Sequence, residues 1–284
     1  MSATLDIRPS PIAGQWYPGD PKTLASHVDG YIQSAHLPKI EGRVIAAMAP
    51  HAGHRYSGPV AGYAFAALRG LEPELVAIVS PMHYPYQSPL LTTAHAAYAT
   101  PLGEIPVDRE ALQQLDDNLQ ETLGYRLTRV SKDPEHSLEI ELPFLQRTFR
   151  TGFKLLPVMV RDQSEVVAKG LGHCLAEVLR SRNAFILAST DLSHFYPQPI
   201  ANRLDAEILH RVEIFDPHAV LQAEEEGKGF ACGKGALAAV LWAARELGAT
   251  HAQVLHHATS GDVTGDFSQV VGYGAAVFTR PGQE

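Results

Sequence analysis

The chain has 284 residues, 45% hydrophobic and 19% charged, a balance that allows a large buried core and excludes a disordered chain. Its 23 basic and 31 acidic residues give a net charge of -8, which argues against a general nucleic-acid or anionic-membrane surface. No apolar run approaches the ~18 residues that span a bilayer, the start lacks a secretory pattern, and two cysteines cannot build a disulfide framework, so a cytoplasmic protein is expected.

Strand-like and helix-like stretches alternate without a Gly/Ser linker, a charge block or an internal repeat. That favours one α/β domain over residues 1–284, with a central mixed sheet flanked by helices. Residues 43–49 and 75–80 are short apolar runs that end at Pro50 and Pro81, as buried strands do, and a histidine follows each. Between them Ser57 is placed to cap a helix over 58–69, with Pro59 tolerated in its first turn. Asp108 caps a helix reaching 119, and Asp133-Pro134 starts another that carries His136 and that Pro143 should end or kink. A strand is expected over 153–160, a helix over 164–180, and a strand over 184–189 that delivers Thr190-Asp191-Leu192-Ser193-His194. Helices over 199–214 and 216–226 precede Cys232-Gly233-Lys234-Gly235, which opens an apolar helix to 247. The end reads as a strand pair, 251–259 and 269–279, around the turn-rich SGDVTGDFS. Polar residues therefore fall just past strand C-termini, where open α/β folds place their sites.

Fourteen histidines outnumber Cys, Met and Trp together, and histidine is the commonest metal ligand and the usual acid–base group. His51 in APHAGHRYSG and His83 in SPMHY leave two successive strands alike, so they form a candidate ligand pair; imidazole suits Fe, Cu, Zn and Ni. A third ligand has three candidates, Asp191, His194 and Cys232. The last stands just before a helix whose free N–H groups favour thiolate. His136 lies three residues before Glu139, which places that carboxylate on the same helical face to orient the ring for acid–base work. Asp191 and His194 share a tight loop, with the carboxylate available to a metal-bound histidine or to His194. Cys174 reads as a buried, inert thiol, His256 and His257 point to opposite faces of a strand, and Arg8, Trp16 and Tyr17 form a buried N-terminal plug. No HExxH, Walker A or GxSxG occurs, and SGDVTG has too few acidic positions for a calcium loop.

Taken in order, RPSPIAGQWYP, APHAGHRYSGP, SPMHY, EHSLEIELPFLQ, STDLSHF, ACGKGALAA and SGDVTGDFSQVVGYGAAVF resemble the Memo family, whose bacterial and archaeal members include AmmeMemoRadiSam system protein B. The resemblance runs from Arg8 to Phe278. It implies a fold similar to class III extradiol dioxygenases of the LigB type, which are single-domain α/β proteins with non-haem iron. By position, it implies metal binding by His51, His83 and Cys232, the cysteine standing where the dioxygenases have a glutamate. It also implies that His136 and His194 handle substrate and oxygen protons, with Asp191 beside them. SPMHY departs from the pattern: Ser80 stands where many Memo proteins have glycine, and there is one histidine where the animal proteins have two. A thiolate in place of a carboxylate is softer and more easily oxidised.

The expectation is a metal-dependent redox enzyme that uses Fe(II), with copper or zinc as further candidate occupants, and acts with O₂ on a catechol-like or other phenolic substrate. The alternative is a non-catalytic metal- or phosphopeptide-binding adaptor of the kind animal Memo proteins imply, for which Arg55 and Lys234 are the cations within the motifs. A zinc hydrolase is a third reading. The expected partner is a small aromatic substrate or a peptide, with neither nucleic acid nor membrane. The resemblance also implies a functional link with an AMMECR-type protein and a radical SAM protein.

Overall fold

A computed structural model describes residues 6–282; the ends of the expected 1–284 domain, residues 1–5 and 283–284, lie outside the described residues. The chain runs through β1 (Ile7–Arg8), α1 (Pro21–Ser34), β2 (Arg43–Ala49), α2 (His54–Ala66), β3 (Leu75–Pro81), β4 (Leu90–Thr93), β5 (Ala97–Thr100) and β6 (Gly103–Pro106). It continues through α3 (Arg109–Leu123), β7 (Thr128–Val130), a 3-10 turn at Glu139–Glu141, α4 (Leu142–Thr148), β8 (Lys154–Val160), α5 (Glu165–Leu179) and β9 (Ala184–Ser189). The last third comprises β10 (His194–Tyr196), α6 (Gln198–Glu213), α7 (Pro217–Glu225), α8 (Lys234–Glu246), β11 (His251–Thr259), α9 (Gly261–Thr264) and β12 (Val270–Arg280).

Continuous apolar runs are best buried inside a parallel sheet, and β2, β9, β3 and β8 lie side by side in that order, all parallel. Antiparallel strands extend this centre on both sides, β12 beyond β2 and β4 beyond β8, with β7 parallel to β4. β10 and β11 each pair antiparallel with β12, completing a nine-stranded mixed sheet. β1, β5 and β6 form a separate small sheet. Helix α8 packs on the four parallel strands and on α5, while α2 packs on β2, β11 and β12 and is backed by α1 and α4. The apolar residues form one core, so the α/β expectation with helices flanking a mixed sheet holds. Among the described residues no helix is long and apolar enough to cross a membrane.

Two expectations need correction. Helix α2 starts at His54, four residues before the expected start, because Gly53 occupies the cap position and its carbonyl accepts from Ser57 N–H at 3.2 Å. Ser57 does not cap; its hydroxyl donates to the Ala52 carbonyl at 2.8 Å, and Pro59 lies inside the helix. The second concerns residues 133–148. Asp133 does not start a helix: its carboxylate accepts from Glu135 N–H at 2.8 Å in a local turn, and helical structure begins only at the 3-10 turn. Pro143 stands in the first turn of α4 and starts that helix instead of ending it, since its missing N–H has no intrahelical partner there.

Candidate metal centre

Neighbouring strands lie about 4.8 Å apart, so residues just past the C-termini of adjacent parallel strands meet side by side. His51 follows β2, Asp191 follows β9 and His83 follows β3, three consecutive strands of the sheet. The His51 and His83 ring centroids are 5.3 Å apart, edge to face. His136, from the loop before the 3-10 turn, stacks on His83 at 5.0 Å and meets His51 edge-on at 5.5 Å. One ring nitrogen from each of these three histidines lies within 4.8 Å of the others, a spacing that fits a metal ion.

What orients the His51 and His83 rings is a buried hydrogen-bond partner on Nδ1. His51 Nδ1 lies 3.0 Å from Ser189 Oγ. That oxygen is 2.6 Å from the Ser137 carbonyl and 2.8 Å from Glu141 Oε1. Ser189 has one hydroxyl proton and two neighbours that accept, so a proton held by Glu141 itself completes the set. Burial pushes the Glu141 carboxyl well above the ordinary range, the Asp191 charge adds to this, and its Oε2 has no hydrogen-bond partner among the described residues. His83 Nδ1 donates to Glu135 Oε1 at 2.9 Å and its backbone N–H to Oε2 at 2.6 Å. The same Oε1 accepts from the backbone N–H groups of His136 and Ser137, and His136 Nδ1 lies 3.3 Å away. Burial raises the Glu135 carboxyl, but the hydrogen bond and charge of His83 and the Ser137 N–H outweigh it and hold it at about 2.

Burial disfavours the charged form of His51, His136 and His194. Burial and the nearby rings of His136, His83 and His194 hold His51 well below the ordinary histidine range. Burial brings His136 to about 4 against the pull of Glu135, and it lowers His194 too. Neutral imidazoles carry the lone pairs that a metal requires.

Cys232 sits beside this group, its sulfur 3.2 Å from His51 Nε2 and accepting from Asp191 N–H at 3.3 Å, but it is not one of the three mutually close residues. It stands just before α8, as expected. Gly233 lets that helix start approach the end of β9, where a Cβ would lie 2.8 Å from the Ser189 carbonyl oxygen. The expected thiolate is not produced by the helix end alone: burial and the Asp191 charge push the thiol up, against the Asp191 N–H and Thr190 hydroxyl. Asp191 bonds neither candidate ring. Its carboxylate accepts the His51 backbone N–H at 2.7 Å, and burial raises it to about 7 against the His51 and Ala52 N–H groups. His194 donates Nδ1–H to the Leu192 carbonyl at 2.8 Å, which leaves Nε2 free.

The pairing of His136 with Glu139 is also corrected. With no helix there, Glu139 turns away to Arg8, Ser10 and Tyr17. Glu135, adjacent to His136 in sequence, takes the orienting role, and the only sequence signal for it was a carboxylate next to a candidate histidine. Of the expected N-terminal plug, Arg8 and Tyr17 are buried and Trp16 is only half-buried; Arg8, 2% exposed, bonds Asp133, Glu139 and the carbonyls of 133 and 135. The plug also does more than fill space, since Trp16 stacks on His136 with centroids 4.1 Å apart. Cys174 is buried with its thiol on Thr122 Oγ1. His256 stacks on Tyr63 and His257 bonds Asp205, both away from the three-histidine group.

The family model described as Memo-like protein matches residues 8–277. The chain belongs to the Memo family. A MEMO1 family protein of Nitrosopumilus maritimus is 37% identical to this Memo chain over 276 residues, covering 96% of this chain and 99% of its own. Another, of Methanothermobacter thermautotrophicus, is 36% identical over 277 residues, with 94% and 98% covered. A solved structure of an uncharacterized protein from Escherichia coli K12 overlaps 83% of this chain and 100% of its own at 13% identity, with a TM-score of 0.45. Trp16, which stacks on His136, and Ala52-Gly53, which follow His51, line a cleft of about 550 Å³ in this Memo chain together with Tyr56 and Phe195 and with polar residues that include Ser260, Asp266 and Gln269.

Proposed function

We propose that this chain is a metal-dependent redox enzyme that holds Fe(II), with copper or zinc as alternative occupants, and acts with O₂ on a catechol-like or other phenolic substrate. The observation that carries the reading is the convergence of three imidazoles at the C-terminal edge of the sheet, beside an aromatic-lined cleft. The donor set fits such an ion. Ser189 and Glu135 engage the Nδ1 atoms, which leaves Nε2 for coordination. His51, His83 and His136 would hold the metal, and Cys232 beside His51 is a further, softer donor whose thiol a bound cation deprotonates. When bound, Fe(II) supplies electron exchange with O₂ and favours the phenolate form of the substrate.

The chain's own residues account for the rest. His194, neutral and with Nδ1 held by a carbonyl, accepts a phenol proton at Nε2. Asp191 holds the β2 exit through the His51 N–H and so fixes where that ring stands. Trp16 and Tyr56 give the cleft apolar ring surface that suits an aromatic substrate. A phosphopeptide finds less support, because Lys234 is already paired with Glu224 and of the two expected cations only Arg55 remains exposed. The link to an AMMECR-type protein and a radical SAM protein rests on the family resemblance alone.

The test is metal analysis of protein purified without oxygen, followed by O₂ uptake across a panel of catechols and phenols. The expected result is one bound iron per chain and one O₂ consumed per substrate, with both lost in His51→Ala. Stoichiometric metal without turnover on any phenol, or oxygen-independent hydrolysis by a zinc form, overturns the reading. Cys232→Ala then reports on the fourth donor: retained iron leaves the three histidines sufficient, and lost iron makes the thiol a required ligand.

A further inference from the structure

A positive φ brings Cβ against the following carbonyl, so bulky residues rarely adopt one. Phe195 has φ 64 and Phe215 has φ 58, and the two differ in what surrounds them. Phe215 is 8% exposed and stacks on Phe278 with centroids 5.6 Å apart, so core packing offsets its backbone strain. Phe195 is 67% exposed, and the only aromatic ring against it among the described residues is that of His194.

Phe195 lies in the middle of β10, where the register with β12 breaks. His194 stands opposite Val271 and Tyr196 opposite Val270, which leaves Phe195 as the extra residue of a bulge. Bulges re-aim side chains and occur beside active sites. Here the re-aimed residue lines the cleft, and its ring and that of His194 are edge to face, with centroids 5.6 Å apart and planes at 75°. Strain that folding does not offset is a mark of function.

We propose that Phe195 is a substrate-stacking residue that sets specificity for planar rings: the β10 bulge holds its exposed face in the cleft, where it takes one face of an aromatic substrate next to His194. The inference rests on the aromatic-substrate reading above and adds the residue that selects the ring. A ring docked on Phe195 at the usual 4.5–7 Å stacking distance comes beside the imidazole that accepts its proton. An aliphatic diol gains nothing from that surface.

The experiment measures anaerobic binding of 4-nitrocatechol by the full-length chain together with thermal unfolding, for the wild type and for Phe195→Ala, Phe195→Gly and Phe195→Tyr. Both truncations should weaken binding about tenfold, which is 1.4 kcal/mol, while Phe195→Tyr stays within about threefold. Only glycine relieves the positive φ, so Phe195→Gly should melt roughly 2–4 °C above Phe195→Ala. Unchanged affinity in both truncations, with a wild type that binds, overturns the proposal and leaves the aromatic-substrate reading standing. A large drop in melting temperature in both truncations overturns it too, by making the ring structural. A wild type that holds iron but does not bind 4-nitrocatechol defeats the aromatic-substrate reading itself, and the proposal falls with it.

Discussion

Two carboxylates four positions apart show how much depends on local conformation. An i, i+3 argument gives His136 to Glu139, and it holds only on a helix. The segment forms a loop instead, so Glu135 reaches His83 and His136 while Glu139 joins the buried Arg8 pair. Glu135→Gln puts an amide N–H where a donor already points, at His83 or at the loop N–H groups. It should weaken metal affinity about 10–100-fold, the usual effect of losing a partner behind a ligand. Glu139→Gln leaves Arg8 short of one charge and should lower stability by about 1–3 kcal/mol with metal affinity little changed. Metal titration and thermal unfolding of the two variants separate the roles; an equal loss of affinity in both would refute the assignment to Glu135.

The elements that the sequence makes legible are those carrying their own boundaries. β2, β3, β8 and β9 are apolar runs closed by proline or by polar residues, and their observed limits fall within a residue of the expected ones. Asp108 caps α3 as expected, and Asp216, where the 216–226 helix was expected to begin, caps α7. The short strands β1, β4, β5, β6, β7 and β10 have two to four residues each and no period of their own, so only their partners define them. The same holds for the site. His51, His83 and Cys232 sit in motifs, whereas Ser189 acts through an oxygen that faces His51 only after β2 and β9 have paired. Helix α1 is the clearest omission. Asp20 accepts from Thr23 N–H at 2.8 Å and Pro21 opens the first turn, both readable signals. Its buried stripe is only Leu24, Val28 and Ile32, and the exposed Gly30 on the opposite face lowers its helix propensity. What makes the helix stable is α2, where Gly62 lies against the Tyr31 carbonyl so closely that a methyl group would overlap it. Gly62→Ala therefore should cost about 1–3 kcal/mol despite its better helix propensity. Urea unfolding measures this directly, and an unchanged or raised stability would mean that α1 does not need this close approach.

At the scale of the whole molecule, the site is braced from outside the sheet. Arg8 ties the first strand to residues more than a hundred positions on, in the loop that carries Glu135 and His136. His54 makes a second tie among three segments. Its backbone N–H bonds the Trp16 carbonyl, its ring lies 5.2 Å from Tyr17, and its Nε2–H donates to the Ile140 carbonyl at 2.9 Å. The ring is 2% exposed and Nδ1 has no partner among the described residues, so protonation would leave a charge without compensation. Burial accordingly lowers its pKa to about 4, against the Ile140 hydrogen bond that raises it. Above pH 6.5 neither the folded nor the unfolded state carries this proton, and the full contribution to stability is present. As the pH falls from 6.5 towards 4 the unfolded chain takes up the proton and the folded one does not, so stability drops, by about 3 kcal/mol in all. Phe in place of His54 removes this linkage while the lost bond to Ile140 adds only a pH-independent offset. Unfolding free energies of the wild type and His54→Phe, measured from pH 7 to 4.5, should therefore converge as the solution is acidified, the wild-type curve being steeper by up to about 1.4 kcal/mol per pH unit. Parallel curves would show that His54 takes up its proton in the folded state as readily as in the unfolded one, and that the junction of the N-terminal segment, α2 and the 3-10 turn tolerates the charge.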